Sequence, residues 1–124
     1  LKALQAVKSE LLASKIEKDG IAYIAAEVEA PHAEAVKQLA YDLRHSLDKA
    51  FIVLGANFDG KPHLAVMITD NLVEEKKLNA AQIVKDLAKH IQGGGGGQPF
   101  FATAGGKNSD GMQQAIQAAK NIVL

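Results

Sequence analysis

The residues best suited to chemistry form the glycine-rich segment 93–107, which reads GGGGGQPFFATAGGK. Glycine has no Cβ, so a ligand can approach its backbone closely and successive N–H groups can converge on an anion. A second glycine pair, Gly105 and Gly106, leads into Lys107 and a predicted helix start, where unpaired N–H donors attract negative charge. This pattern predicts an anion-binding rim. A flexible linker and a solvated Lys107 are the alternatives.

Two features favour a binding loop over a linker. Only 27 residues follow Gly97, which is too few for an independent domain. The second glycine pair, Gly105 and Gly106, also leads into Lys107 and a predicted helix start, which a linker does not require. The segment is neither of the common nucleotide loops, because Lys107 is followed by Asn108 rather than Ser or Thr and a predicted helix precedes the run. Phe100 and Phe101 offer one ring for stacking on an unpaired base, while the other is expected to face the core.

The rest of the composition argues against catalysis. The chain has no Cys, which excludes a thiolate zinc site, and its four His have no metal-ligand spacing. The acidic residues are scattered, and no Ser has a visible base. Lys plus Arg equal Asp plus Glu at 14 each, so nucleic-acid binding driven by net charge is also disfavoured. Recognition by shape and backbone donors remains.

The length of 124 residues with 48% apolar content predicts one domain with its own core. Apolar periodicity predicts the element order α, β, α, β, β, α, β, α, and hence an α/β (α+β) fold with a mixed sheet of about four strands covered by helices. The predicted helices cover 1–19, about 36–47, 79–91 and 110–123, the last two capped by Asn79 and Asp110; the predicted strands cover 21–29, 50–58, 61–69 and 100–104.

Three details of this prediction concern individual elements. Asp59 and Gly60 are expected to form a hairpin turn, and Pro62 is expected to place the returning strand at a sheet edge. The stripe of Leu4, Val7 and Leu11 on the first helix either forms a self-association seam or packs on the sheet of the same chain. The chain starts at Leu1, so we interpret it as a piece of a longer protein.

No apolar run reaches 18 residues and no secretory signal opens the chain, so we expect no membrane partner and a cytoplasmic location.

The segment GGGGGQPFFATAGGKN, preceded by a strand, a helix, a hairpin and a helix, resembles the glycine-rich signature of the DHH-associated domain at the C-terminus of alanyl-tRNA synthetases (the C-Ala region). The resemblance covers about residues 20–124, and it implies that 1–19 are the end of a preceding helical region. Its specific part consists of Gly93 to Gly97, Pro99, Ala102, Gly105 and Gly106.

The resemblance implies a tRNA-binding domain of a class II synthetase, an alanine-tRNA ligase. This domain would contact the tRNA elbow and support aminoacylation and editing in protein biosynthesis. Its partners would be alanine-accepting tRNA and the remaining domains of the enzyme. The fragment itself would have no catalytic site and no cofactor, whereas the parent enzyme would use ATP, magnesium and zinc. The alternative is a dimerisation or assembly domain that forms a homodimer.

The implied tRNA-binding residues follow the glycine signature. Gln98 stands where related DHH phosphoesterases commonly have His, and this departure argues against a phosphodiesterase. The full set is Gly93, Gly94, Gly95, Gly96, Gly97, Gln98, Phe100, Gly105, Gly106, Lys107 and Asn108.

Overall fold

The computed structural model describes residues 4–30 and 32–123. The five α-helices are α1 (Leu4–Ser14), α2 (Ala33–His45), α3 (Asp70–Lys76), α4 (Ala80–Ala88) and α5 (Met112–Val123). The six strands are β1 (Ile16–Lys18), β2 (Ile21–Glu27), β3 (Ala50–Phe58), β4 (Lys61–Ile68), β5 (Gly94–Gly97) and β6 (Phe101–Gly105). Short 3₁₀ turns extend α4 over Lys89–Ile91 and precede α5 over Ser109–Gly111.

The strands form one mixed sheet in the order β1-β2-β3-β4-β6-β5. β2 and β3 are parallel and are connected through α2, whereas the other neighbours are antiparallel. The predicted fold class is confirmed, with six strands in place of about four. β1 and β5 are the sheet edges.

Helices cover both faces of this sheet. α1 and α2 pack on one face around Leu39, Leu43 and Ile52, while α4 and α5 pack on the other around Val53, Leu87 and Met112. β3 is buried from Ala50 to Ala56 because it lies between these two layers. The fold is therefore a three-layer sandwich, which explains why its central strands are apolar on both sides.

The first predicted helix is wrong in its extent. α1 ends at Ser14, and β1 then pairs with β2 across a turn in which Asp19 and Gly20 have φ values of 55° and 77°. An Asp-Gly pair at positive φ is the usual signal for a two-residue hairpin, whereas the apolar spacing of 1–19 predicts a helix that ends at Gly20. Ile16 consequently lies on the exposed strand rather than on a helical stripe.

The proposed self-association seam is also wrong for the two residues that can be assessed. Val7 and Leu11 are 6% exposed and pack beside Val28 and α2 in the core of this chain. Leu1, Pro31 and the side chains of Leu4 and Val123 lie outside the described residues.

Pro62 does not mark a sheet edge. β4 lies between β3 and β6, and Pro62 is tolerated because it is the second residue of the strand, one position before pairing with β6 begins at His63.

The helix starts are partly as predicted. The Asn79 side chain accepts a hydrogen bond from Gln82 N, as expected for α4. Before α5, however, it is the side chain of Asn108 that accepts from Asp110 N, at 3.2 Å. The predicted cap at Asp110 is therefore wrong by two residues.

Candidate nucleic-acid interface

The glycine run forms a strand of a hairpin rather than an irregular loop. Gln98 and Phe101 exchange backbone hydrogen bonds of 2.8 and 3.3 Å around the Pro99–Phe100 turn. Because hydrogen-bonded and non-hydrogen-bonded pairs alternate in antiparallel strands, Gly95 and Gly97 direct their N–H and C=O groups to the open edge of the sheet. The edge thus offers backbone donors and acceptors without side chains.

One group of glycines is required by close packing. A Cβ at Gly93, Gly95 or Gly97 would collide with the backbone of β6, and a Cβ at Gly106 would collide with the carbonyl of Ile91. Their occurrence is explained by the approach of β5 and the following segment to their neighbours.

A second group of glycines has room for a side chain. No atom lies within 4 Å of a Cβ built on Gly94, and the nearest atoms to such a Cβ on Gly96 and Gly105 are Lys85 Cε and Pro62 O, each at 4.0 Å. The fold does not require glycine at these three positions, so their bare backbone calls for another explanation.

An open groove of about 720 Å³ lies where β5 begins and β6 ends, against the β3–β4 turn. Its two sides are joined by a hydrogen bond of 3.0 Å from Gly106 N to Pro62 O. We call it the glycine groove; it is lined by Phe58, Asp59, Lys61, Pro62, His63, Gln92, Gly93, Gly94, Gly105, Gly106 and Lys107.

The charges of the glycine groove favour an anion. Within residues 4–30 and 32–123, neither Lys61 nor Lys107 forms an ion pair, and Asp59 is the one acidic residue in the lining. His63 packs beside Phe58 with ring centroids 5.6 Å apart, and burial lowers the pKa of His63 from its ordinary value of 6.5. Burial therefore favours the neutral imidazole of His63, and the two lysines supply the positive charge of the groove.

The tip of the β5–β6 hairpin has a different environment. The guanidinium of Arg44 lies 5.8 Å from the ring centroid of Phe100 and also forms a 3.0 Å ion pair with Asp70. Phe101 packs on Tyr41 with a centroid distance of 5.4 Å, which confirms that one of the two phenylalanines faces the core. Phe100 is half-buried, so part of its ring stays accessible at the tip.

The structure divides the eleven predicted binding residues instead of gathering them on one rim. Gly93, Gly94, Gly105, Gly106 and Lys107 line the glycine groove, Gly95 to Gly97 form the open edge, and Gln98 and Phe100 lie at the opposite end of the hairpin. Asn108 is occupied as a cap, and its N–H donates to Ile91 O. Its role in the structure is to start the 3₁₀ turn before α5.

Sequence reasoning missed Phe58, Lys61 and His63 as neighbours of the glycine segment. The predicted Asp59–Gly60 turn placed these three residues together, but nothing local indicated that β4 would pair with β6. Of the other histidines, His32 accepts from Ala35 N at 3.2 Å as the cap of α2. His45 and His90 are exposed.

Two further surveys cover only the described part of the chain. No three His, Asp or Glu residues there come together in a way that could hold a metal ion. Among the described helices, none has the length and apolar character needed to cross a membrane.

The fold and the glycine hairpin define a class of domain. Residues 20–124 match the family described as the DHHA1 domain, and the chain belongs to this family. The predicted resemblance to the DHH-associated domain of alanyl-tRNA synthetases is thereby confirmed.

Similar proteins agree with this membership. The chain is 48% identical over 124 residues to a protein of Cytophaga hutchinsonii named alanine-tRNA ligase, covering 96% of this chain and 14% of that protein. It is 45% identical over 121 residues to the alanine-tRNA ligase of Christiangramia forsetii, covering 94% and 14%. The chain thus spans about one seventh of the length of these relatives.

A solved structure shares the fold. The C-Ala domain from Aquifex aeolicus alanyl-tRNA synthetase superposes with a TM-score of 0.77 at 22% identity, covering 88% of this chain and 96% of that domain.

Proposed function

We propose that this chain is the tRNA-binding domain of an alanine-tRNA ligase and that it contacts the elbow of the folded tRNA. The observation that carries the proposal is the joint presence, at one end of the sheet, of a bare glycine surface and two lysines that form no ion pair with any described residue. The identity of the ligand as tRNA and of the parent enzyme as a ligase is inferred from the names of the relatives.

The surface suits recognition of an RNA shape. The chain has a formal net charge of zero, so we do not expect a broad basic face to supply its affinity for RNA. An edge of backbone groups on Gly95 and Gly97, next to a groove with Lys61 and Lys107, can instead follow the sugar-phosphate backbone of a folded RNA.

In the whole enzyme, this domain would hold tRNA while the other domains work on it. We assign aminoacylation and editing, with ATP, magnesium and zinc, to parts of the parent protein outside this chain, and we assign no catalytic residue here. The partners would be alanine-accepting tRNA and those other domains, and the location would be the cytoplasm.

Fluorescence anisotropy with a complete tRNA and with an acceptor-stem minihelix that lacks the elbow tests this proposal. We expect the 124-residue chain to bind the complete tRNA more tightly, because only that RNA has the elbow. Equal affinity for the two RNAs, or binding to neither, would contradict an elbow contact.

A second candidate function is assembly of the synthetase as a homodimer. The observation that favours it is the exposure of two large apolar side chains, Ile16 at 45% and Ile122 at 44%. Sedimentation of the chain at several concentrations tests it, with an Ile16→Ser and Ile122→Ser double variant as the control. A wild-type chain that stays monomeric across the series would reject this function.

A further inference from the structure

The floor of the glycine groove has no side chains at Gly94 and Gly105, although the fold leaves room for them. His63, Gly105 and Gly94 are direct neighbours across β4, β6 and β5. A Cβ would fit on either glycine without a backbone collision, so larger residues could occupy both positions. A flat strip of backbone beside His63 is therefore a feature of the surface that a side chain would fill.

Two positive charges stand at one end of this strip. Lys61 lies two residues before His63 on β4, and Lys107 lies two residues after Gly105. β4 and β6 are antiparallel, and the Gly106–Pro62 hydrogen bond joins the start of one to the end of the other. Both lysines thus belong to the same end of the groove.

The wall of the groove is aromatic. The rings of Phe58 and His63 lie 5.6 Å apart at an angle of 49°, and both residues are half-buried. Flat backbone and aromatic rings suit a planar ring system, because they provide contact area without a competing side chain. The neutral imidazole can also exchange a hydrogen bond with the edge of that ring.

We propose that the glycine groove binds a phosphorylated nucleoside, with its phosphate between Lys61 and Lys107 and its base on the floor formed by Gly94 and Gly105. This inference rests on the proposed function where the nucleoside is one unit of the bound tRNA. A free nucleotide has the same chemistry, and the two sources are separated experimentally below.

Titration of the ¹⁵N-labelled chain with AMP, CMP, GMP and UMP tests the groove directly. We expect saturable shifts of the amide signals of His63, Gly94, Gly105 and Lys107 with at least one of these nucleotides. Adenosine, cytidine, guanosine, uridine and inorganic phosphate are expected to bind less tightly, because each supplies only half of the ligand. If inorganic phosphate produces the same shifts with the same affinity, the groove is only an anion site. That result would overturn the proposal that it binds a nucleoside.

Substitutions separate the floor from the charges. Gly105→Val and Gly94→Val, tested separately, are expected to weaken nucleotide binding at least about tenfold because the side chain fills the floor. Lys61→Ala and Lys107→Ala are expected to weaken it up to about fivefold each. Lys37→Ala is the matched control, since Lys37 is exposed on α2 outside the groove. The lysine variants leave the strands intact, so they remain informative if a valine variant does not fold.

A parallel measurement with complete tRNA distinguishes failure of the groove inference from failure of the proposed tRNA-binding function. Wild-type binding to tRNA that is lost in folded Gly105→Val supports both proposals. Normal tRNA binding by Gly105→Val, with no nucleotide shifts in the wild type, overturns the groove inference and leaves the proposed function standing. Nucleotide shifts in the groove without any tRNA binding support the groove and contradict the proposed function.

Discussion

Gly95 and Gly94 are neighbours in β5 with opposite steric demands. A Cβ at Gly95 would meet the backbone of Thr103 and Ala104, whereas a Cβ at Gly94 meets nothing within 4 Å. We expect Gly95→Ala to lower the free energy of unfolding by about 1–3 kcal/mol, because the two strands must separate to admit the methyl group. Gly94→Ala is expected to change it by less than about 0.5 kcal/mol.

Urea denaturation followed by circular dichroism measures both variants of this pair. Equal destabilisation by the two alanines would show that β5 does not approach β6 as closely as described.

His63 links stability to pH. Burial lowers its pKa in the folded chain, so the unfolded chain binds a proton more readily. The associated stability is complete above the ordinary pKa of 6.5 and is lost as the pH falls through the lower folded value. We therefore expect the wild type to lose more stability between pH 7.5 and pH 5.5 than His63→Gln, measured by urea midpoints. Identical pH profiles for the two proteins would mean that burial of His63 does not contribute to the pH dependence of stability.

At the level of residues, the sequence identifies the glycines but does not show which of them the packing requires and which have room for a side chain. Gly95 and Gly94 look identical in a run of five, because the difference between them lies in the distance to another strand. Lys61 and His63 likewise line the groove only because Gly105 becomes their neighbour when β4 and β6 pair. Such long-range pairing leaves no local pattern.

α1 is an integral part of the core at the level of elements. Leu11 is 6% exposed and packs between the sheet and α2. We expect Leu11→Ala to lower the free energy of unfolding by about 2–5 kcal/mol because it leaves a cavity. Sedimentation of the folded variant should show the same mass as the wild type, and a change in association state would restore the self-association seam.

The elements that the sequence predicts correctly have apolar and polar side chains whose spacing reflects which face is buried. Alternating or continuous apolar residues predict β2 and β3, the Asp59–Gly60 turn predicts the returning strand β4, and apolar residues at helical spacing predict α2 and α4. β5 has no side chains and therefore no period, so its state is decided by the partner strand. The sequence does not predict β1, because Ile16 continues the apparent helical stripe of α1.

For the whole molecule, neutrality limits the electrostatic part of RNA binding. With Lys61 and Lys107 as the cations of the groove, the slope of log affinity against log salt should be about −2 for tRNA. Lys107→Ala should bring the slope about one unit closer to zero. Anisotropy over a series of salt concentrations measures this, and a slope near −5 would point to a larger basic surface elsewhere.

The strand order also has a consequence for how the chain folds. β1–β2, β3–β4 and β5–β6 are each closed by a short turn, while β2–β3 and β4–β6 join segments that are distant in sequence. Hairpins form within about 1–10 μs, and the non-local pairings must wait for larger loops to close. We expect the φ-values of folding kinetics to be high in the β3–β4 hairpin and low for side chains at the β4–β6 pairing, which must close a larger loop. The glycine surface would then be assembled late, after the centre of the sheet has formed.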